Sequence, residues 1–171
     1  MPVLFLDYDG VLHPDAVYRT RQGLVLMREG VSLFEWVRIL EEALAPHPEM
    51  RIVLSTAWVR VLGFDEARGR LPEALQERVV GATWHSRMDR AEWQALSRFG
   101  QVLRYVQRHR VAHWLAVDDD AQDWARECHG NLVHTHAEFG LSLASTRAEL
   151  REKLARLAGS SGASSPGRPA E

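Results

Sequence analysis

Asp7 and Asp9 lie two residues apart at the end of a short apolar run, Val3-Leu4-Phe5-Leu6, and Gly10 follows at once. A continuous apolar tetrad of this kind reads as a fully buried strand. In extended chain, residues two apart face the same way. The strand therefore delivers two carboxylates together at its C-terminal tip. Like charges this close raise one pKa or recruit a cation. In open α/β sheets the strand tips are also where ligands bind. The segment is a candidate metal and catalytic site.

Other elements must bring partners to that tip. Arg51–Leu54 reads as a second buried strand and is closed by Ser55-Thr56. Residues 113–117 read as a third, ending in Asp118-Asp119-Asp120, and Leu132–His134 as a short fourth. Between the first two, residues 17–27 hold two alternating runs around Gln22-Gly23, a hairpin pattern. Ser32-Leu33-Phe34-Glu35 is a capping box that predicts a helix from there to Leu44. Helices are also expected over 59–62, over 72–80 with Pro72 at the first position, from a Ser97 cap to about His109, over 121–128, and from a Thr146 capping box to about Leu157. Strands alternating with helices imply a parallel sheet with helices on both faces. In such a sheet the three polar tips share one edge and converge.

Asp7-x-Asp9-Gly10-x-Leu12 after a strand, a Ser/Thr after the second core strand and an acidic cluster after a later strand resemble the haloacid dehalogenase (HAD) superfamily of phosphotransferases. The resemblance covers about residues 1–158. More narrowly, Val53-Leu54-Ser55-Thr56-Ala57-Trp58 and Trp114-Leu115-Ala116-Val117-Asp118-Asp119-Asp120 look like small bacterial HAD-domain proteins without a large cap, some relatives of which sit in nucleic-acid repair proteins. It implies an α/β, three-layer Rossmann-like fold with a five-stranded, mainly parallel sheet. Residues 1–158 would form the hydrolase domain, and 159–171, rich in Ser, Gly and Pro, a disordered tail.

Asp7 would then be the nucleophile, leaving an aspartyl-phosphate, and Asp9 the general acid and base. Two carboxylates and a dianionic phosphate call for a hard divalent cation, and Mg²⁺ fits. Asp7 would ligate it by side chain and Asp9 by backbone carbonyl. The resemblance favours Asp119 as the third ligand, because Asp123 falls four residues later, with Asp118 the close alternative. Thr56 rather than Ser55 would bind the transferring phosphate. The family usually adds a lysine here. Lys153 is the one lysine in the chain and follows all the motifs on what reads as the exposed side of the last helix. Arg98 is the best substitute, since a guanidinium can fork onto phosphate oxygens. Arg87, Arg90 and Arg104 are weaker ones.

The 171 residues suit one domain, and a net charge of −2 gives no nucleic-acid footprint. Cys128 stands alone, so an internal disulfide and a Cys-rich zinc site are excluded. His134-x-His136 and the His109/His113 pair lack a third zinc ligand. His13 should lie near the pocket mouth, and Trp58 reads as core. No apolar run approaches the ~18–20 residues of a membrane span, no signal-like leader is present, and a cytoplasmic location is expected. With room for only a hairpin flap and short helices between motifs, the uncovered site suits a large or exposed phosphoester, such as a nucleic-acid end or a phosphoprotein. The rival readings are a non-catalytic HAD-fold binding module, supported by the missing lysine, and phosphotransfer to an acceptor other than water.

Overall fold

The computed structural model describes residues 1–162. Seven strands and seven α-helices follow in the order β1 (Val3–Leu6), β2 (Val17–Thr20), β3 (Gly23–Leu26), α1 (Val37–Leu44), β4 (Arg51–Leu54), α2 (Ala57–Leu62), α3 (Phe64–Gly69), α4 (Glu73–Gln76), β5 (Val79–Ala82), α5 (Arg90–Gln94), α6 (Arg98–His109), β6 (Trp114–Asp118), β7 (Leu132–His134) and α7 (Ala144–Gly162). Five strands form one sheet in the order β5-β4-β1-β6-β7, and β2 and β3 form a separate hairpin. All four pairings in the sheet are parallel.

The sheet is apolar on both faces, as a parallel sheet covered on both sides must be. Alternation along β1 sends Leu4 and Leu6 to one core, with Leu40 and Leu44 of α1 and Leu150 and Leu154 of α7. Val3 and Phe5 face the other core, with Phe99 and Val102 of α6 and Trp114 and Trp124. The result is a Rossmann-like three-layer α/β fold. No large cap covers the strand tips among the described residues; the hairpin and the short helices α2 to α5 occupy the connections.

Four expectations from sequence need correction. The helix from Ser32 begins only at Val37. Glu35 does accept from the Ser32 N–H, at 2.7 Å, but Phe34 adopts φ +59, a left-handed conformation a helix cannot contain. Val79 and Val80, read as the end of a helix, instead open edge strand β5, and the helix before them shrinks to α4 with Pro72 outside it. Residues 121–128 do not form an α-helix: Asp123 adopts φ +58 and a 3₁₀ helix spans Arg126–Asn131. The last helix starts at Ala144, before Thr146, and runs to Gly162, past the expected tail boundary at Gly159; the rest of that tail lies outside the described residues.

Candidate active site

Register places the site. Leu6 on the central strand pairs with Leu54 on one side and Val117 on the other. The next residues, Asp7, Ser55 and Asp118, therefore come level at one edge. Backbone hydrogen bonds continue the ladder there, from Ser55 N–H to Leu6 O at 2.8 Å and from Asp7 N–H to Val117 O at 3.2 Å. The chain connections diverge from β1 toward opposite sides of the sheet, which makes this edge the crevice where α/β sheets bind ligands.

Carboxylate oxygens of Asp7, Asp118 and Asp119 lie within 4.8 Å of one another. Asp7 and Asp118 are 3% and 1% exposed. Gly10 makes room for the third. It adopts φ +67, and a Cβ built there would stand 2.2 Å from Asp119 Oδ2 and 2.8 Å from Asp119 Cβ. The loop is held from both sides: Thr135 Oγ1 donates to Gly10 O at 2.6 Å, and His134 Nε2 lies 3.0 Å from Asp119 O.

One guanidinium meets this charge. Arg98 Nη2 donates to Asp7 Oδ2 at 3.2 Å. Its Nε lies 3.1 Å from Asp118 Oδ2, an ion pair without hydrogen-bond alignment. Ser97 caps α6 by accepting from Gly100 N–H and so sets Arg98 at the first helical position, aimed at the strand tips. Burial opposes the charge of Arg98, but Asp7 and Asp118 outweigh it and raise its pKa.

Three carboxylates against one cation leave the cluster short of positive charge. Burial, then Asp9, push the Asp7 pKa up, against lowering by Arg98, the Tyr8 N–H and the Thr56 hydroxyl. Burial and Asp7 push Asp118 well up. Asp119 rises to about 7, from burial and then Asp7. A set of hard oxygen donors in this state, with a glycine clearing space beside one of them, fits a divalent cation such as Mg²⁺ or Ca²⁺.

Asp9 stands beside this cluster, held apart from it. Trp58 Nε1 donates to its two oxygens at 3.0 and 3.1 Å, and His13 Nε2 lies 3.0 Å from Oδ1. His13 Nδ1 accepts from the Phe34 N–H at 3.2 Å. That bond assigns the ring hydrogen to Nε2, which donates to Asp9. Phe34, Tyr8, His13 and Trp58 pack edge-on or tilted around one another, with ring centroids 5.0–5.7 Å apart. The left-handed Phe34 thus serves a cage that fixes Asp9.

Thr56 caps α2 by accepting from the Trp58 N–H at 3.4 Å. Ser55 Oγ is buried with no hydrogen-bond partner. A cleft of about 380 Å³ is lined by Asp7, Asp9, Asp15, Arg98, Asp119 and Asp120. Asp7, Asp9, Asp118, Asp119 and Arg98, singled out from sequence, thus gather at one edge with Ser55 and Thr56. Arg87 and Arg104 do not join them: Arg87 borders a separate cavity and Arg104 pairs with Glu92. Lys153 is half-buried rather than exposed, bonded to Leu132 O at the opposite end of β7 and to Glu149. His13 is fully buried, not at a pocket mouth. Among the described residues no histidine joins a metal-binding group.

Residues 3–146 match the model of a family described as the HAD domain in Swiss Army Knife RNA repair proteins. The chain belongs to this HAD family. No curated protein and no solved structure matches it. Membership places the domain with phosphoesterase-type HAD proteins, which typically use a divalent metal, and the aspartate cluster could bind one. Among the described residues no helix is long and apolar enough to cross a membrane.

Sequence reasoning gave Asp15 no place in the site, set His13 near it without a role, and read Trp58 as core, which it is, without its bond to Asp9. Asp15 borders the cleft, and burial followed by the Asp9 charge raises its pKa. For Trp58 a signal existed: a buried indole N–H needs an acceptor.

Proposed function

We propose that this HAD domain is a Mg²⁺-dependent phosphomonoester hydrolase acting on a phosphorylated nucleic-acid end. The observation that carries the reading is the meeting of Asp7, Asp118 and Asp119 under the single guanidinium of Arg98. The family description favours a nucleic-acid end over a phosphoprotein.

In this reading Asp7, Asp119 and Asp118 hold the cation by side chain and Asp9 by its backbone carbonyl. When bound, the cation neutralises the carboxylates and polarises a phosphoryl oxygen. The Asp7 carboxylate attacks phosphorus, and the bond to the leaving oxygen breaks as Asp9 gives that oxygen its proton. Asp9 then takes a proton from water, which attacks phosphorus and releases phosphate from Asp7. Such proton transfers contribute roughly 10²–10⁴-fold. Thr56 and Arg98 bind phosphoryl oxygens; the Ser55 hydroxyl, level with Asp7, is the second donor from the same tip. Trp58 and His13 fix the Asp9 rotamer. A non-catalytic module had its support in the missing lysine, and Arg98 stands where a cation could serve both Asp7 and the phosphate.

The test is turnover of an aryl phosphate with Mg²⁺. Asp7→Asn should abolish it while circular dichroism and melting show an intact fold. Turnover by the variant equal to that of the parent would remove Asp7 as nucleophile.

A further inference from the structure

Next to the catalytic cleft lies a second one of about 490 Å³, which shares Arg98 and Asp120 with it and is also lined by Arg60, Trp93, Gln101 and Asp123. Besides Arg98 Nε, which is ion-paired with Asp118, two donors in its lining are buried and unpartnered: Arg60 Nε and Trp93 Nε1. Trp93 is 4% exposed. Leaving a buried donor without an acceptor costs about 1–3 kcal/mol, and native proteins rarely do so without cause. Both groups can only donate. The Arg60 guanidinium also sits 5.9 Å from the Trp93 ring centroid. An occupant that satisfies this pair must present acceptors and tolerate a cation, as a phosphate oxygen does.

Past Arg60 the surface opens into a groove of about 800 Å³ that Arg60 also lines. Its walls include Trp84, Tyr105 and His109, together with Arg90, and no acidic residue. Tyr105 and His109 are stacked at 4.1 Å, and Trp84 meets Trp93 at 5.3 Å. In a chain of net charge −2, an acid-free aromatic groove is a local departure. Aromatic faces beside arginines are what unpaired bases and their backbone require.

We propose that Arg60 and Trp93 form a second anion subsite. It holds the phosphodiester adjoining the terminal phosphate of a single-stranded polynucleotide, whose bases lie along the Trp84, Tyr105 and His109 wall. The inference rests on the hydrolase reading for the direction of the strand, which starts at Arg98. A phosphopeptide offers one phosphate and no run of flat rings, so it leaves the second cleft unfilled.

The test uses the full chain and hexanucleotides phosphorylated at the 5′ or the 3′ end, with a dye at the other end. Binding is read by fluorescence anisotropy in the Asp7→Asn protein, with and without Arg60→Gln or Trp93→Phe. Each change should weaken binding on the order of 10-fold, and Arg60→Gln should flatten the dependence of log Kd on log salt by about one phosphate contact. A misfolded groove would not produce that selective slope, and melting curves check both variants. In the otherwise unaltered protein, the same substitutions should lower kcat/KM for the hexanucleotide relative to an aryl phosphate, through KM. Binding and salt slope unchanged by either substitution would overturn the subsite, as would tighter binding of a phosphopeptide of equal length. Arg60-dependent binding with no phosphate released from any substrate would instead overturn the hydrolase reading and leave the subsite standing.

Discussion

Gly10→Ala separates the cost of a strained backbone from the loss of a metal ligand. The residue adopts φ +67, where a Cβ costs about 1–2 kcal/mol. For a chain of this size that lowers Tm by roughly 2–4 °C per kcal/mol. The new methyl would also stand 2.2, 2.5 and 2.8 Å from Oδ2, Cγ and Cβ of Asp119. Because the Asp119 Cβ itself is in the way, a rotation of the carboxylate alone does not relieve the clash. The Asp119 backbone is restrained through its contact with His134, so the side chain must leave the cluster. Displacing a positioned ligand should weaken Mg²⁺ binding about 10–100-fold. Gly30→Ala is the control, because Gly30 adopts φ +76 with nothing within 4 Å of its Cβ position. It should lower Tm similarly and leave Mg²⁺ affinity alone. Calorimetric titration of both variants with Mg²⁺ decides the matter. If Gly10→Ala binds the ion as tightly as Gly30→Ala, the placement of Asp119 as a ligand is wrong.

Three further outcomes are expected. The folded-state pKa values of Asp7, Asp118 and Asp119 lie above 3.8, with Asp119 near 7. Their stabilising contribution without metal is complete below about pH 4 and is lost as pH rises through the raised values. The Tm gap between Mg²⁺ and chelator should therefore widen from pH 4 to 7, and a gap independent of pH contradicts the shared site. Arg98→Ala leaves two buried carboxylates unpaired and should destabilise the metal-free protein by up to ~3–5 kcal/mol at pH 8, and by less at pH 5, where protonation relieves them; urea unfolding at both values measures this. Trp58→Phe removes the donor to both Asp9 oxygens and should lower kcat about 10–100-fold with little change in KM, as steady-state assays on an aryl phosphate will show.

The strands that build the site were legible because each is short, apolar and ends in polar residues. Leu6, Leu54 and Val117 pair across the sheet, so reading their tips was enough to gather Asp7, Ser55 and Asp118. Strand β5 was not legible. As an edge strand paired on one side only, with Val80 half exposed, it needs little apolar pattern, and its first two residues, Val79 and Val80, continue a helical reading from Pro72. The late start of α1 was also hidden. The capping box is present, but Phe34 is held out of the helix where its N–H meets His13, a contact across 21 residues. The Asp9 cage is long-range in the same way: Trp58 reaches Asp9 across 49 residues. Sequence shows that a buried indole needs an acceptor, not which one.

Lys153 lies at the far end of the sheet from Asp7, engaged with Leu132 and Glu149, so the cation at the reacting edge is a guanidinium alone. That charge persists into strongly alkaline solution. Acylating and reductive-alkylating reagents aimed at lysine have no target in the crevice.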